Sequence, residues 1–363
     1  MIGLLTGTVL LLMGIAIWQI SKIHQLIQNN MGIKKDDSQI ATEKDNDLQG
    51  KLMFAFLVFI YLVTIYCFWN YTKVLLPESA SEHGVTYDRL MWISFAIILF
   101  AQTITQAILH YFAYKYRGIK NRKAFFLTHN NNLELIWTII PAIVFFCLII
   151  YGMVTWSSIM NFNDQDEDAL IIELYAQQWN WKARYAGQDN VLGDANVRFL
   201  NDFEGRNSVG IDSSDPNGWD DIVVTQEFHI PVNRKIIFKM RSQDVLHSAY
   251  MPHFRAQMNC VPGMVTQFLL TPTITTEEMR NTPNMIDKVL TINQIRDEKS
   301  KELIKKGEGP LDPYDFDYVL LCNKICGKSH YNMQMKIIVE SQEDFDKWIN
   351  QQTVFKNSLI AQN

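Results

Sequence analysis

Four long apolar runs in the first 156 residues constrain the fold of this chain most. They cover residues 1–20, 52–71, 90–114 and 133–156. A helix of about 20 apolar residues spans the hydrocarbon core of a membrane. Pro141, inside the fourth run, is tolerated there when neighbouring helices satisfy the freed carbonyl. The sequence therefore predicts an α-helical membrane part with four transmembrane helices, followed by a soluble domain.

Lysine and arginine indicate which side of the membrane each loop faces. Residues 115–123, KYRGIKNRK, carry five cations, and loops of this kind are cytoplasmic. The loop 21–50 is then cytoplasmic too, and the domain after residue 156 is extracytoplasmic, on the periplasmic side of a bacterial inner membrane. The run 1–20 lacks the cationic start and the small-residue cleavage site of a signal peptide, so we expect it to be retained as a helix.

This interpretation divides the chain into four parts. Residues 1–80 hold two helices and their cytoplasmic loop, and residues 81–156 form a helical hairpin. Residues 157–350 form the extracytoplasmic domain, with inserts near 186–225 and 275–316, and a tail covers 351–363.

Residue patterns in the extracytoplasmic part predict β structure. In KIIFKM, residues 235–240, every second residue from Ile236 is apolar, which places Ile237 with two lysines on the outer face of a half-buried strand. Other strand candidates are rich in β-branched and aromatic residues: ALIIELYAQQWNWKARY, VTQFLLT, DYVLLC and MKIIVES. The second insert contains a predicted helix, and EDFDKWINQQ near the C-terminus has the pattern of a short amphipathic helix.

The extracytoplasmic part is acidic, with 21 Lys and Arg against 29 Asp and Glu after residue 156. Such a balance either favours a cationic partner through long-range attraction or serves solubility. Nothing in it indicates nucleic acid as a partner. An odd count of five cysteines argues against a disulfide framework, and the absence of C-x-x-C-H argues against covalently attached haem.

CNKICGKSHYNM, residues 322–333, concentrates two cysteines, a histidine and a methionine. Thiolates and thioethers select copper, zinc or iron–sulfur, and imidazole suits zinc and copper. The segment lacks the second C-x-x-C pair that is common in structural zinc sites. A mononuclear blue-copper centre uses one cysteine and two histidines, so the extra thiol is explained if two thiolates bridge two coppers. His247, which follows the strand 235–240, is the candidate second imidazole, and His253 is interpreted as structural.

The chain resembles subunit II of the haem–copper cytochrome c oxidases in several motifs. DVLHS, VPGM and CNKICGKSHYNM are similar to that family's dinuclear copper signature, and NNLELIWTIIPAIV is similar to the start of its second membrane helix. QQWNWKARY is similar to the aromatic segment that opens its cupredoxin domain. The resemblance extends from residue 88 to about residue 350. It implies an all-β, cupredoxin-like Greek-key sandwich behind the membrane helices.

The resemblance also implies a ligand set for two coppers in a copper A centre. Cys322 and Cys326 would be the bridging thiolates, and His247 and His330 would be the terminal imidazoles. Met333 would be a weak thioether ligand to one copper, and the backbone carbonyl of Lys324 would bind the other. The family usually has glutamate at the position of Lys324, and that side chain also contacts a magnesium ion at the subunit interface. A lysine keeps the carbonyl role but does not carry over the magnesium role. No haem in this chain is implied.

Two further residues receive roles from the resemblance. Trp179 would accept electrons, as the exposed first tryptophan of a pair above the metal, while Trp181, two positions along the same predicted strand, would support the core. Glu134 would take up protons at the cytoplasmic mouth of the fourth helix. The acids Asp212, Asp215, Asp220 and Asp221 are candidates for steering a lysine-ringed cytochrome to Trp179.

The function that these features imply is electron transfer in a terminal cytochrome c oxidase. The chain would take electrons from a c-type cytochrome and pass them to haem in the catalytic subunit I. The two additional helices would contact other partners, such as subunit III or a larger respiratory supercomplex, within the membrane lipid. The alternative is a membrane-tethered mononuclear copper protein for electron transfer or copper delivery. A copper-free quinol oxidase subunit would lack the cysteines.

Overall fold

The computed structural model describes residues 2–30, 42–123, 125–160, 168–200 and 206–360. Parts of the predicted loop 21–50, of the first insert and of the tail lie outside these residues, at 31–41, 201–205 and 361–363. The chain divides into two compact units. One is Met1–Trp69 with Ile98–Asn131, and the other is Asn70–Ile97 with Asn132–Asn363.

Four long helices coincide with the four apolar runs, as predicted. They are α1 (Ile2–Asn30), α2 (Glu43–Leu75), α3 (Glu82–Lys115) and α4 (Asn131–Met160). Each contains a stretch long and apolar enough to cross a membrane. The helices extend beyond the apolar runs into polar residues. In α2, Glu43 and Asp45 complement the positive end of the helix dipole. Pro141 lies inside α4.

In the first unit, polar contacts join α2 to α3 and to the residues that directly follow it. Arg117 donates to Asp47 at 2.8 Å, and the Tyr61 hydroxyl donates to the carbonyl of Thr103 at 2.8 Å. His110, on the predicted third span, is buried and lies 6.0 Å from the ring of Phe56.

The second unit contains two five-stranded sheets, which confirms the predicted β domain. The strands are β1 (Leu170–Gln177), β2 (Asn180–Tyr185), β3 (Ile222–Val224), β4 (Glu227–Pro231), β5 (Ile236–Ser242), β6 (His247–Met251), β7 (Ala256–Cys260), β8 (Thr266–Leu270), β9 (Tyr318–Cys322) and β10 (Gln334–Glu340). The sheet orders are β3-β2-β1-β5-β8 and β4-β10-β9-β6-β7. Neighbours are antiparallel except β1 with β5 and β4 with β10.

Large apolar side chains from both sheets form the main core, in which Trp181, Phe228 and Phe238 are fully buried. One expectation about β5 was wrong, because Ile237 is as buried as Ile236. Ile237 pairs with Ile171 and Leu269 on the two flanking strands. A central strand is covered on both faces, which an alternating pattern in one segment does not reveal.

Helices occupy the second insert and the C-terminal region. They are α5 (Thr276–Arg280), α6 (Pro283–Lys305), α7 (Gln342–Ile349) and α8 (Phe355–Ile360). The predicted helices of the insert and of EDFDKWINQQ are therefore present, and Phe345 is the buried residue of α7. In α8, within the tail, Phe355 is buried beside Tyr175 and Ile211, so this part of the tail covers the outer face of β1.

The segment before α3 docks onto the β domain within the second unit. Ala80 donates to the carbonyl of His253 at 2.7 Å. Arg255 has a left-handed backbone with φ of 54°, and its side chain donates to both carboxylate oxygens of Asp88 at 2.8 Å. It also donates to the carbonyls of Pro77 and Pro252. We call this region, residues 77–88 with 252–255, the anchor end of the domain.

Candidate metal centre

Four connections between strands meet at the other end of β6. They are residues 178–179, 243–246, 261–265 and 323–333, and we call them the ligand end. Hydrogen bonds join them: the Gln178 side chain donates to the carbonyl of Cys326 at 2.6 Å, and the Gln178 N–H donates to the Asp244 carboxylate at 2.7 Å.

Two free thiols form the centre of this end. The Sγ atoms of Cys322 and Cys326 lie 3.8 Å apart. Each thiol has its own imidazole neighbour: His247 Nδ1 is 3.7 Å from Cys322 Sγ, and His330 Nδ1 is 3.6 Å from Cys326 Sγ. The structure thus brings together the two cysteines and both histidines that the sequence analysis selected.

The two remaining predicted donors lie on different sides of the thiol pair. Met333 Sδ is 3.8 Å from Cys326 Sγ, and the Cys322 thiol points at the carbonyl of Lys324 at 3.2 Å. The Lys324 side chain is exposed. A soft thioether therefore flanks one thiol and a harder carbonyl flanks the other, which makes the two halves of the cluster chemically unequal.

Most donor atoms are shielded from water. His247 is fully buried, and Cys322, Cys326 and Met333 are each less than a tenth exposed. Burial, together with the neighbouring Cys322 thiol, raises the pKa of Cys326 to about 11, so this thiol keeps its proton until a cation displaces it. Ligand atoms of His247, Cys322 and Cys326 lie within 4.8 Å of one another, a donor set suited to copper.

Asp244 orients the buried imidazole and was missed by the sequence analysis. Its carboxylate accepts from His247 Nε2 at 2.8 Å, which leaves Nδ1 free to face Cys322. It also accepts from the Gln178 N–H at 2.7 Å. Partial burial would raise the pKa of Asp244, but these hydrogen bonds lower it below its ordinary value. The aspartate three residues before His247 in DVLHS was the available signal.

Trp179 lies against residues 323–333, which we call the cysteine loop, although its predicted placement on a strand was wrong. It belongs to the two-residue turn between β1, which ends at Gln177, and β2, which begins at Asn180. Its indole N–H donates to the carbonyl of Cys326 at 3.3 Å, and the ring is half-buried. A Cβ at Gly327, where φ is 128°, would come within 2.9 Å of this ring, so only glycine fits there.

Trp181 is fully buried and lies edge-on to His247 with ring centroids 6.4 Å apart, in keeping with a core role. Cys260 is also buried and pairs with His247 across β6 and β7.

His253 lies at the anchor end, where burial and then nearby cations lower its pKa to about 4. It packs on Phe316 and not on the cysteines.

The steering role predicted for the acids near residue 220 is contradicted in part. Asp221 is fully buried and paired with Arg184, so its charge does not reach a partner. Asp220 accepts from the Gln188 N–H at 2.7 Å, beyond the far end of β2 from Trp179. Six residues of strand separate Trp179 from Tyr185, about 20 Å at 3.3 Å per residue. Glu134 lies in the first turn of α4.

The fold and the donor set together define a class: a membrane-anchored, cupredoxin-like metal protein. Two family models match the chain, the cytochrome c oxidase subunit II transmembrane domain over residues 76–154 and its periplasmic domain over residues 170–277. The chain belongs to the cytochrome c oxidase subunit II family.

Relatives extend the match over most of the chain. An alternative cytochrome c oxidase subunit 2 of Bradyrhizobium diazoefficiens is 29% identical over 288 residues, covering 79% of this chain and 85% of the relative. Cytochrome c oxidase subunit 2 of Thermostichus vulcanus is 24% identical over 314 residues, covering 80% and 82%. A crystal structure of the periplasmic domain of cytochrome oxidase subunit II from Bradyrhizobium japonicum is 16% identical. It covers 51% of this chain and 93% of that one with a TM-score of 0.29.

The match to the family model of the periplasmic domain ends at residue 277, before the insert helix α6 and the cysteine loop. Trp179 and His247 fall inside the matched residues, whereas Cys322, Cys326 and Met333 do not. The geometry of the ligand end is therefore what joins the cysteine loop to the matched part of the domain.

Proposed function

We propose that this chain accepts electrons from a c-type cytochrome at a dinuclear copper centre and passes them to haem in the catalytic subunit of a terminal oxidase. One observation carries the proposal. Two free thiols lie 3.8 Å apart, and each has an imidazole of its own within 3.7 Å. A mononuclear site would use one thiolate and two imidazoles, and would leave the second buried thiol without a role.

The residues of the ligand end would hold a copper pair between them. Cys322 and Cys326 would bridge both ions, and His247 and His330 would bind one each. Met333 would be a weak ligand to one ion, and the carbonyl of Lys324 would bind the other, as the resemblance implies. When bound, the copper pair would take up and release one electron at a time. The chain itself fixes the donors on strand ends, excludes water from the thiols and holds His247 in one tautomer through Asp244.

Trp179 supports a route by which an electron could reach this site. Its half-buried ring joins the surface to the Cys326 carbonyl through one hydrogen bond of 3.3 Å. Trp179→Ala should keep copper but accept electrons from cytochrome c much more slowly. Trp181→Ala should instead impair folding or copper retention, because Trp181 is fully buried.

The membrane-anchored chain assembles with the catalytic subunits of its oxidase, as members of its family do. We further place the copper domain on the periplasmic side of a bacterial inner membrane, on the basis of the cationic loop 115–123. The two additional helices α1 and α2 are proposed contacts for subunit III or a larger supercomplex. The exposed Lys324 side chain gives no support for an interfacial magnesium ion at that position.

Glu134 is proposed to take up protons at the start of α4, where an acid next to hydrocarbon is costly and often functional. Glu134→Ala in the assembled oxidase should slow turnover while leaving copper reduction by cytochrome c unchanged. Normal turnover would exclude this role.

Electron paramagnetic resonance and metal analysis of the purified oxidase, followed by stopped-flow reduction, test the main proposal. A mixed-valence dicopper spectrum with two coppers per chain supports it, and a blue mononuclear spectrum would favour a tethered single-copper protein. Reduction of Trp179→Ala is then compared for cytochrome c and for a small chemical reductant. An unchanged rate with cytochrome c would remove Trp179 from the route.

A further inference from the structure

The surface around Trp179 differs in charge from the rest of the extracytoplasmic part. That part carries eight more acids than bases, by the counts of 29 and 21. The four loops of the ligand end, all within the described residues, contain three charged side chains: Asp244, Lys324 and Lys328. These loops therefore lack the excess of acids that the rest of the extracytoplasmic part has.

Of these three charges, Lys328 is the one offered to the cytochrome, because the resemblance puts the side chain at position 324 at the interface with another oxidase subunit. The carboxylate of Asp244 is engaged by His247 Nε2 and by the Gln178 N–H. The side chains of Lys324 and Lys328 are exposed. Lys328 Nζ lies 5.9 Å from the centre of the Trp179 ring, a cation–π distance, so a positive charge stands at the proposed point of electron transfer.

The ligand end also exposes apolar side chains. Ile325 is 90% exposed and Tyr331 is 89% exposed, and both belong to the cysteine loop. Other exposed apolar side chains of the same loops are Val245, Leu246, Met264 and Val265. Apolar patches of this kind, rimmed by polar residues, mark protein–protein contacts.

We infer that the cytochrome that docks at Trp179 presents an apolar haem edge with an acidic rim and not a ring of lysines. This inference rests on the proposed function. Lys328, beside Trp179, would pair with an acid of the cytochrome, while the apolar side chains would supply contact area. At about 0.1 M ionic strength the Debye length is about 10 Å, so the charge of Lys328 outweighs that of Asp220, which lies about 20 Å away along β2.

The test uses the assembled oxidase in detergent and one cytochrome in two charge forms. A lysine-ringed cytochrome c and the same protein with its lysines succinylated each reduce the oxidase in a stopped-flow instrument, at about 0.1 and 0.3 M salt. We expect the succinylated form to react faster and to slow as salt rises. A small chemical reductant gives the reference rate for copper itself.

Lys328→Glu should reduce the advantage of the succinylated form by about two- to fourfold, as expected for one reversed charge near the contact. Lys356→Glu is the matched control, because Lys356 also stands over a tryptophan, with Nζ 4.5 Å from the Trp219 ring, but near the far end of β2. It makes the same change in net charge and should leave both rates unchanged.

A faster reaction with the lysine-ringed form that weakens with salt would overturn the inference, as would no effect of Lys328→Glu. Loss of the catalytic subunit on purification of Lys328→Glu would also overturn it, since the face would then contact that subunit. Failure of the proposed function is a separate result: neither cytochrome form would reduce the copper, although the small reductant does.

Discussion

β6 runs between two regions of opposite character, from His247 at the ligand end to Met251 next to the anchor end. At the anchor end, the Arg255 guanidinium donates to Asp88, Pro77 and Pro252 at 2.6 to 2.8 Å. At the ligand end, sulfur and imidazole atoms stand 3.6 to 3.8 Å apart. The Arg255 guanidinium finds its partners among protein groups alone, whereas the donors of the ligand end become fully satisfied when a cation joins them.

This contrast separates what holds the domain together from what gives it a function. Four side-chain hydrogen bonds, together with backbone bonds around Ala80, fix the β domain to the start of α3 and the segment before it. The ligand end contributes loops whose exposed residues are free to meet a partner. Changes at the ligand end should therefore alter copper and electron transfer, and changes at the anchor end should alter stability.

The largest expected effect is the loss of the copper pair in Cys322→Ser. A neutral hydroxyl holds copper far less well than a thiolate, so at most a mononuclear site should remain. Metal analysis of the purified oxidase should fall from two coppers per chain to one or none, and the mixed-valence spectrum should disappear.

Cys260→Ser is the matched control, because Cys260 is buried next to His247 in the same sheet without a predicted ligand role. It should keep both coppers. Two coppers per chain in Cys322→Ser would contradict the ligand assignment, and loss of copper in Cys260→Ser would show that any buried thiol change in this region disturbs the site.

The next largest effect concerns the anchor end. Arg255 is 4% exposed at its side chain and Asp88 is 24% exposed, so Arg255→Met leaves a partly buried carboxylate and two carbonyls without their donor. The free energy of unfolding of the β domain should fall by about 3 kcal/mol. Denaturant unfolding of the detergent-solubilised chain, followed by tryptophan fluorescence, measures this change.

Lys347→Ala removes an exposed ion pair with Glu343 and should change stability by less than about 0.5 kcal/mol. The dicopper spectrum should remain intact in both variants. A copper spectrum altered by Arg255→Met would mean that the two ends of β6 are not independent.

A pH effect of intermediate size is expected from His253 at the anchor end. Burial, with Lys288 and Arg255 nearby, lowers its pKa from an ordinary 6.5 to about 4, so the folded state binds fewer protons than the unfolded state between these values. Its contribution to stability is complete above pH 6.5 and is lost as the pH falls towards 4. Between pH 7.5 and 5 the loss should be about 2 kcal/mol.

His253→Phe retains the packing on Phe316 and removes the titration. The difference in unfolding free energy between pH 7.5 and 5 should be about 2 kcal/mol smaller in this variant than in the parent chain. Comparing the two chains cancels the opposite contribution of Asp221, whose pKa burial raises to about 6. Equal pH dependence in both chains would contradict the assigned pKa of His253.

The sequence predicted most of the ligand end but not the anchor end. The thiols, imidazoles and thioether were found because rare residue types stand close together in 322–333, and spacing of this kind is visible in one dimension. The buried Ile237, the turn position of Trp179 and the pairing of Asp221 with Arg184 were missed because each depends on a neighbouring strand or loop. The anchor end was not foreseen, since Arg255 and Asp88 are 167 residues apart.

The smallest predicted effect lies at Asp244, which connects the metal ligand to the turn of Trp179. Asp244→Asn keeps an oxygen that can accept from the Gln178 N–H but removes the charge that holds the His247 Nε2 proton. Loss of such a partner weakens metal binding by about tenfold. Competition with a copper chelator should show this drop while the dicopper spectrum persists with shifted features. Asp346→Asn, on α7, is the control and should bind copper as the parent does. An unchanged affinity and spectrum in Asp244→Asn would mean that strand pairing with Cys260, and not the carboxylate, orients His247.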